Sequence, residues 1–289
     1  MSITPPHAPV ASARIARLFI YPVKSCAGIE LPQALLTDAG LDLDRTWMVV
    51  GEQGEFVSQR ELPRMALIQT RLKHSEVILR APGMLPLHLR VDAAEEPVRV
   101  RLWDDDLPAY DMGPIAAQWF SDFLGQRLRL VRFDPEHRRL SSLQWTGGVE
   151  APNTFGDGFP LLVLGQASLD ELNRRLVAGG HGPVGIERFR PNLVLSGLEA
   201  HDEDRLDRLR VQADEAVELQ LVKPCPRCSI PDVDPATGET GTAVADALQA
   251  YRADRRLDGA ISFGMNAIVR EGDGELLRVG QAVSGDWRF

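Results

Sequence analysis

Short apolar or alternating runs, separated by Gly, Pro and Asp, dominate the chain. Residues 13–23, 46–50, 76–79, 87–91 and 98–102 place β-branched or alternating apolar residues between turn formers, which predicts strands. A helix follows. Pro114 suits a first helical position, Ile115, Trp119 and Phe123 recur every four residues, and Gly125 ends the run. Residues 128–133 read as one more strand. The polar stretch 134–153, with basic His137, Arg138 and Arg139, separates two halves of similar style, so a domain boundary is placed there, giving units 1–134 and 135–289. In the second half, 159–164 is a buried-strand candidate. Ser168 with Glu171 three residues on predicts a capping box opening a helix that Gly179 and Gly180 close. Residues 193–195 and 217–222 predict strands, 245–252 a helix, and 266–269 and 277–283 closing strands. No repeat of fixed period and no regular β–helix–β alternation is visible. The expected fold class is mainly β with some helices (α+β), in two domains.

Composition narrows the functional classes. The 289 residues are 44% hydrophobic and 25% charged, ordinary for a globular protein and long enough for about two domains. Lys+Arg number 32 against 41 Asp+Glu, a formal net charge of −9. A surface of that sign repels phosphate backbones and anionic lipid, which argues against general nucleic-acid or membrane-surface binding. An anionic ligand would need a local cluster of positive charge. The longest apolar runs, such as 159–164, fall far short of the ~20 residues of a membrane helix. The first 17 residues lack the continuous apolar stretch of a signal peptide. Three cysteines are too few for a disulfide scaffold. The location expected on these grounds is cytoplasmic, with reduced thiols.

The sharpest local feature is Pro224-Cys225-Pro226-Arg227-Cys228, just past an apolar strand. A structural zinc site asks for four ligands, and only Cys26 and unmatched histidines remain. A thioredoxin-like pair should open a helix, whereas Pro231 and a turn-rich run follow here. Two small buried thiols, a thiolate ligand to a soft metal centre, and a sulfur carrier remain, with Arg227 placed to lower a thiol's pKa. Residues 232–238 fail as a calcium loop, because Ala236 and Thr237 stand where a ligand and the glycine belong. Gly156-Asp157-Gly158 is too short for a phosphate loop and lacks its Lys-Ser/Thr. Lys24, Arg45, Arg188 and Arg190, each at a strand boundary, read singly as solvated charges.

In their order these pieces resemble a family. Tyr21-Pro22-Val23-Lys24-Ser25, Asp44-Arg45, Arg190-Pro191-Asn192, Cys225-x-Arg227-Cys228 and Val233-Asp234-Pro235-x-Thr237-Gly238 together resemble the MOSC proteins. The branch is the one with an N-terminal β-barrel domain, typified by the mitochondrial amidoxime-reducing component and its bacterial relatives. The resemblance runs from about Ile15 to the C-terminus. It implies an N-terminal barrel-like domain, a MOSC β-barrel domain, and a pterin-bound molybdenum cofactor between them. By motif position Cys228 would be the thiolate ligand of the metal. Lys24, Ser25 and Arg45 would hold the phosphate and pterin from one side, and Arg190, Asn192, Arg227 and the Asp157-Gly158 turn from the other. Asp157 would also serve as a catalytic residue that hydrogen-bonds to bound water or substrate. Convergent Lys and Arg donors are what an acidic protein needs for such an anion.

The activity so implied is reduction of N-hydroxylated substrates such as amidoximes, hydroxylamines or N-hydroxylated bases. Some bacterial relatives carry a C-terminal ferredoxin domain with a cluster of cysteines; no cysteine follows Cys228 here, so no iron–sulfur cluster is expected in this chain. Electrons would come from a separate protein: a ferredoxin, a flavoprotein reductase or a cytochrome b5-like donor. One cofactor site per chain is compatible with a working monomer. Two departures from the family pattern, Pro226 between the cysteines and Phe159 after the Asp157 turn, bear on substrate contacts more than on the metal. Sulfur transfer and cofactor carriage are the rival expectations.

Overall fold

The computed structural model describes residues 10–93 and 96–288. Part of the segment read above for a leader, residues 1–9, lies outside the described residues. The first half carries eleven strands: Val10–Ile20 (β1), Ile29–Leu31 (β2), Gln33–Thr37 (β3), Gly40–Leu41 (β4), Trp47–Val50 (β5), Gln69–Lys73 (β6), Glu76–Arg80 (β7), Leu87–Arg90 (β8), Pro97–Leu102 (β9), Asp105–Asp111 (β10) and Arg129–Phe133 (β11). Helix Gly113–Leu124 (α1) lies between β10 and β11, and the short helix Leu143–Thr146 (α2) follows. The second half runs Leu161–Gly165 (β12), Gln166–Ala178 (α3), Leu193–Ser196 (β13), Leu206–Gln212 (β14), Ala216–Pro226 (β15), Ala243–Gln249 (α4), Ser262–Glu271 (β16), Leu276–Arg278 (β17) and Ala282–Trp287 (β18). The α+β class expected from the sequence is the class found.

The largest sheet has the order β13-β12-β16-β15-β14-β18-β1, with β2 at its end, and β1 also pairs with β13 to close it into a barrel. Strand β1 therefore completes a ring otherwise made from the second half of the chain. Its register sets Val10 opposite Asp286 and Leu18 opposite Leu193. Alternation explains its place, since Ala11, Ala13 and Ile15 point inward between exposed neighbours. They meet Leu195, Leu209, Leu219 and Met265 in the barrel core. A second sheet, β5-β11-β10-β9, belongs to the first half. Next to it Trp47, Met65, Phe120, Phe123 and Leu130 form a separate core around α1. Two three-stranded sheets, β17-β3-β4 and β6-β7-β8, complete the set.

Several local expectations are corrected. The α3 helix starts at Gln166 behind Gly165, with no side-chain cap, so the Ser168–Glu171 capping box does not form. The Ser168 hydroxyl instead donates to buried Glu203, 2.8 Å away, and Glu171 pairs with Arg174 and Arg175. On α1, Trp119 and Phe123 are buried but Ile115 is 77% exposed, so the four-residue recurrence overstates the apolar face. The 277–283 run is two strands, β17 and β18, separated by a turn. One β–helix–β crossover does occur: β12, α3 and β13, with the two strands parallel. Every residue of β12 is buried, as a strand covered on both faces should be, so the run carries no alternation from which to read its partner.

Candidate functional site

The residues singled out in the sequence, scattered from 24 to 228, converge on one cleft. All nine of them line it: Lys24, Ser25 and Arg45 from the first half, Asp157, Gly158, Arg190, Asn192, Arg227 and Cys228 from the second. Counting every charged side chain in its wall, the cleft has five cations (Lys24, Arg45, Arg60, Arg190, Arg227) and one carboxylate, Asp157. The chain as a whole carries −9, so this is the local reversal of sign an anionic ligand would require.

Three of the wall residues sit on left-handed backbone. Ser25 has φ +68°, Arg45 +48° and Arg190 +57°. None is a glycine, so each costs conformational energy that its surroundings must hold. The hydrogen bonds that hold them are visible. After β1 ends, the Lys24 amide donates to Trp47 O (2.8 Å) and the Arg45 amide to Tyr21 O (2.9 Å), tying the two turns together. Arg190 ends a single turn of 3-10 helix and donates its amide to Glu187 O. Tyr21, fully buried, lies under two guanidinium groups, with Arg190 at 4.2 Å and Arg45 at 4.5 Å from its ring centroid. Such cation–π contacts stiffen both arginines while leaving their in-plane donors available.

Those donors are partly committed. Arg45 donates to Asp44, to Asn192 Oδ1 (3.1 Å) and to Arg190 O (3.0 Å). Asn192 is itself fixed: its Oδ1 also accepts from the Leu162 amide and its Nδ2 donates to Phe19 O. Arg190 Nη1 donates to Cys26 O at 2.7 Å. Burial, with the neighbouring Arg45 charge, lowers the Arg190 pKa to about 10. Arg190 Nη2 and Arg227 Nε are buried and have no acceptor among the described residues.

Lys24 spans the cleft. Its buried ammonium donates to Phe155 O (2.9 Å) and to Asp157 Oδ1 (2.5 Å). Burial pushes the Lys24 pKa down, against the pull of Asp157. The protein packed around the cleft opposes the charge of Asp157, although its side chain is largely exposed there, but Lys24, Arg45 and Arg60 outweigh this and hold the carboxyl well below its usual range.

The two cysteines of the C-x-x-C differ. A glycine in β16, Gly264 at φ +81°, lies in a bulge opposite the end of β15, where Pro224 faces Met265 and Pro226 faces Ser262. Beyond it β15 ends and Cys228 is carried to the cleft as an exposed free thiol. Cys225 is half-buried and its sulfur accepts from Arg227 Nη1 at 3.0 Å. Burial raises the Cys225 pKa, and Arg227 offsets this only in part, so the lowering expected from Arg227 does not prevail there. The rejected calcium loop is a turn whose Asp232 accepts from the Val244 and Ala245 amides at the start of α4.

Two residues that sequence reasoning passed over shape this site. Arg139, 7% exposed, donates through Nη1 to Asn153 Oδ1, Thr154 O and Gly156 O, and through Nε to Asp105. It clamps the loop that presents Asp157. Arg60 lines the cleft with its guanidinium carbon 4.8 Å from the Trp103 ring and 5.7 Å from that of Phe56. Neither carries a local signal, since nearly every basic residue of this chain is an arginine: only Lys24, Lys73 and Lys223 are lysines.

A strand at the N-terminal end completing a barrel of C-terminal strands, with a basic thiol-bearing cleft, defines a protein of the MOSC class. Residues 12–127 match the MOSC N-terminal beta barrel domain and residues 150–284 the MOSC domain. The chain is 36% identical over 235 residues to mitochondrial amidoxime reducing component 2 of Rattus norvegicus, covering 78% of this chain and 68% of that protein. The Homo sapiens protein of the same name is 35% identical over 248 residues, covering 82% and 72%. The molybdenum cofactor sulfurase of Homo sapiens is 27% identical over 87% of this chain but only 29% of its own length. The chain belongs to the MOSC-domain proteins with an N-terminal MOSC barrel, related to the amidoxime-reducing components. The cytoplasmic location expected above is corrected by these relatives, which are named as mitochondrial.

Proposed function

We propose that this protein is a molybdenum-cofactor-dependent oxidoreductase that reduces N-hydroxylated compounds with electrons from a separate redox protein. The named activity of its amidoxime-reducing relatives supports the reaction class. The observation that carries the reading within this chain is the pair of orphaned guanidinium donors, Arg190 Nη2 and Arg227 Nε, beside an exposed thiol. Buried N–H groups without acceptors are uncommon, and two of the four such guanidinium nitrogens among the described residues belong to this one cleft, where an anion can accept from them. A phosphate-bearing pterin supplies one, and its metal can take a single soft thiolate.

In this reading Cys228 is the metal ligand. Lys24, Ser25, Arg45, Arg190, Arg227 and the Asp157-Gly158 turn hold the cofactor, and Asn192 positions Arg45 through the bonds described above. When bound, the cofactor supplies the two-electron redox chemistry. The chain's own part is to neutralise the anion, fix its orientation through residues on constrained backbone, and leave Asp157 charged at the cleft. There its carboxylate can accept a hydrogen bond from a substrate hydroxyl or water. The units 1–134 and 135–289 are the two walls of the site in this proposal. The location proposed is a mitochondria-associated one, after the relatives. The donor class stays as expected: a ferredoxin, a flavoprotein reductase or a cytochrome b5-like protein. The sulfurase similarity favours a second reading, sulfur transfer at Cys225 and Cys228.

The test is molybdenum per chain in protein from a cofactor-producing host, with amidoxime reduction by reduced viologen. Near one metal per chain with turnover, both lost in Cys228→Ser, is the expected result. Metal-free wild type carrying a persulfide on either cysteine would replace this reading with sulfur transfer.

A further inference from the structure

Arg60 differs from the other cations of the cleft in having no protein acceptor for its guanidinium among the described residues. Lys24 is held by Asp157 and Phe155 O, Arg45 by Asp44, Asn192 and Arg190 O, and Arg190 and Arg227 each by at least one backbone carbonyl. Around Arg60 the nearest carboxylate is Glu61, 3.9 Å from Nε, beyond hydrogen-bond reach. Glu61 is fixed through its Oε2, which accepts from the Ser58 amide (2.9 Å) and hydroxyl (2.6 Å), and its Oε1 makes only the long ion pair with Arg60. Yet the Arg60 side chain is only 19% exposed. Its guanidinium nitrogens are not among the buried unpartnered atoms, so the donors themselves face the open cleft.

What encloses it is an aromatic shelf. The Phe56 and Trp103 rings are 4.8 Å apart, and the Arg60 cation lies over both. Stacking uses the face of the guanidinium and leaves its edge, with the N–H donors, directed away from the rings. Trp103 is itself held at a cost. It occupies the first position of the two-residue turn between β9 and β10, with φ +55°, where Asn, Asp or Gly is the usual residue. A bulky residue in that conformation is strained and is kept only where something over-determines it. It remains 45% exposed. The result is a planar, oriented cation with free in-plane donors, lining the cleft and backed by two rings that lie outside its wall.

We propose that Arg60 is a specificity-determining residue that receives an anionic substituent of the substrate, favouring N-hydroxylated compounds that carry a carboxylate on a planar ring. This rests on the reductase reading for the identity of the substrate, but the anion site itself does not. The carboxylate meets the guanidinium edge-on, with the rest of the substrate in the cleft that Arg60 lines. The same chemistry could be met by the cofactor's own phosphate, and the experiment separates the two.

The holoprotein is compared with Arg60→Ala and Arg60→Lys, using an aryl amidoxime bearing a ring carboxylate and its methyl ester. Molybdenum per chain, calorimetric binding of each compound and KM for each are measured. The expected result is unchanged molybdenum in both variants. In Arg60→Ala, affinity for the carboxylate should fall about tenfold or more with its KM rising to match, while the ester changes less than about twofold. Arg60→Lys should recover part of the loss, since it restores the charge but not the fork. Equal changes for acid and ester, or no preference for the acid in wild type, would overturn the proposal. Loss of molybdenum in Arg60→Ala would overturn it in favour of the cofactor's phosphate. Preferential binding of the acid without any turnover would sink the reductase reading and leave the anion site standing.

Discussion

The Lys24 ammonium and the Asp157 carboxylate meet at 2.5 Å, joining the turn that follows the first strand to a loop more than 130 residues later. The Lys24 side chain is 8% exposed and that of Asp157 64%, so one partner is committed to the interior and the other faces the cleft. Asp157→Asn would leave a buried ammonium without its counter-charge. The expected loss is about 1–2 kcal/mol, well under the figure for a fully buried pair because solvent screens the exposed carboxylate. The pH dependence has a definite sign. The Asp157 pKa is depressed in the folded protein, so its contribution is fully present above the unfolded value of about 3.9 and is lost as the pH falls toward the folded one. Urea denaturation of wild type and variant should therefore show a gap that is constant above about pH 4 and narrows below it. A gap that persists unchanged to pH 2 would exclude the ion pair as its source.

Arg139 should matter more to stability than any exposed arginine. Its Nη1 satisfies the Thr154 and Gly156 carbonyls and the Asn153 side chain at 2.6–2.9 Å. Arg139→Ala strands these acceptors, and we expect a loss of about 2–4 kcal/mol with faster proteolysis within residues 153–158. Arg139→Lys should recover only part of it, because one ammonium cannot reproduce the forked geometry. Wild-type stability and protease resistance in Arg139→Ala would show that the loop holds itself.

The three thiols should separate by reactivity. Cys26 is fully buried and its pKa is pushed up to about 12 by burial. Cys225 is half-buried and raised, and Cys228 is exposed. In metal-free protein at pH 7.5, iodoacetamide should label Cys228 first, Cys225 about tenfold more slowly, and Cys26 only after unfolding. Peptide mapping by mass spectrometry reads the order directly. Labelling of Cys225 ahead of Cys228 would reverse the assignment of the accessible thiol.

The parts of this protein that could be read from sequence were those with a local signature. A β-branched apolar run gave β7 and alternation gave β9 nearly to the residue, and Gly125, with φ +77°, stops α1 where a left-handed cap is needed. The cleft residues were legible only as an ordered set, because an isolated Lys24 or Arg190 has the same local context as a solvated charge. Arg60 and Arg139 stayed hidden for the same reason: what distinguishes them is a Trp at a strained turn, and two backbone carbonyls and an Asn side chain on the loop that follows. Ser168 was misread because its hydroxyl answers to Glu203, which lies 35 residues on, rather than to its own helix. The turn at Trp103 was unreadable since it breaks the residue preference by which such turns are recognised.

Strand β1 also governs when the molecule can be finished. Its first residues lie against β18, with Ala11 opposite Gly285 and Ala13 opposite Val283. The ring has no complete circumference until β18 has been synthesised, and β1 must keep an unsatisfied edge through that interval. Contacts of such sequence separation make closure slow, and open strand edges are adhesive. During synthesis β1 thus waits with an open edge for a partner made about 270 residues later, a segment that a chaperone would have reason to shield.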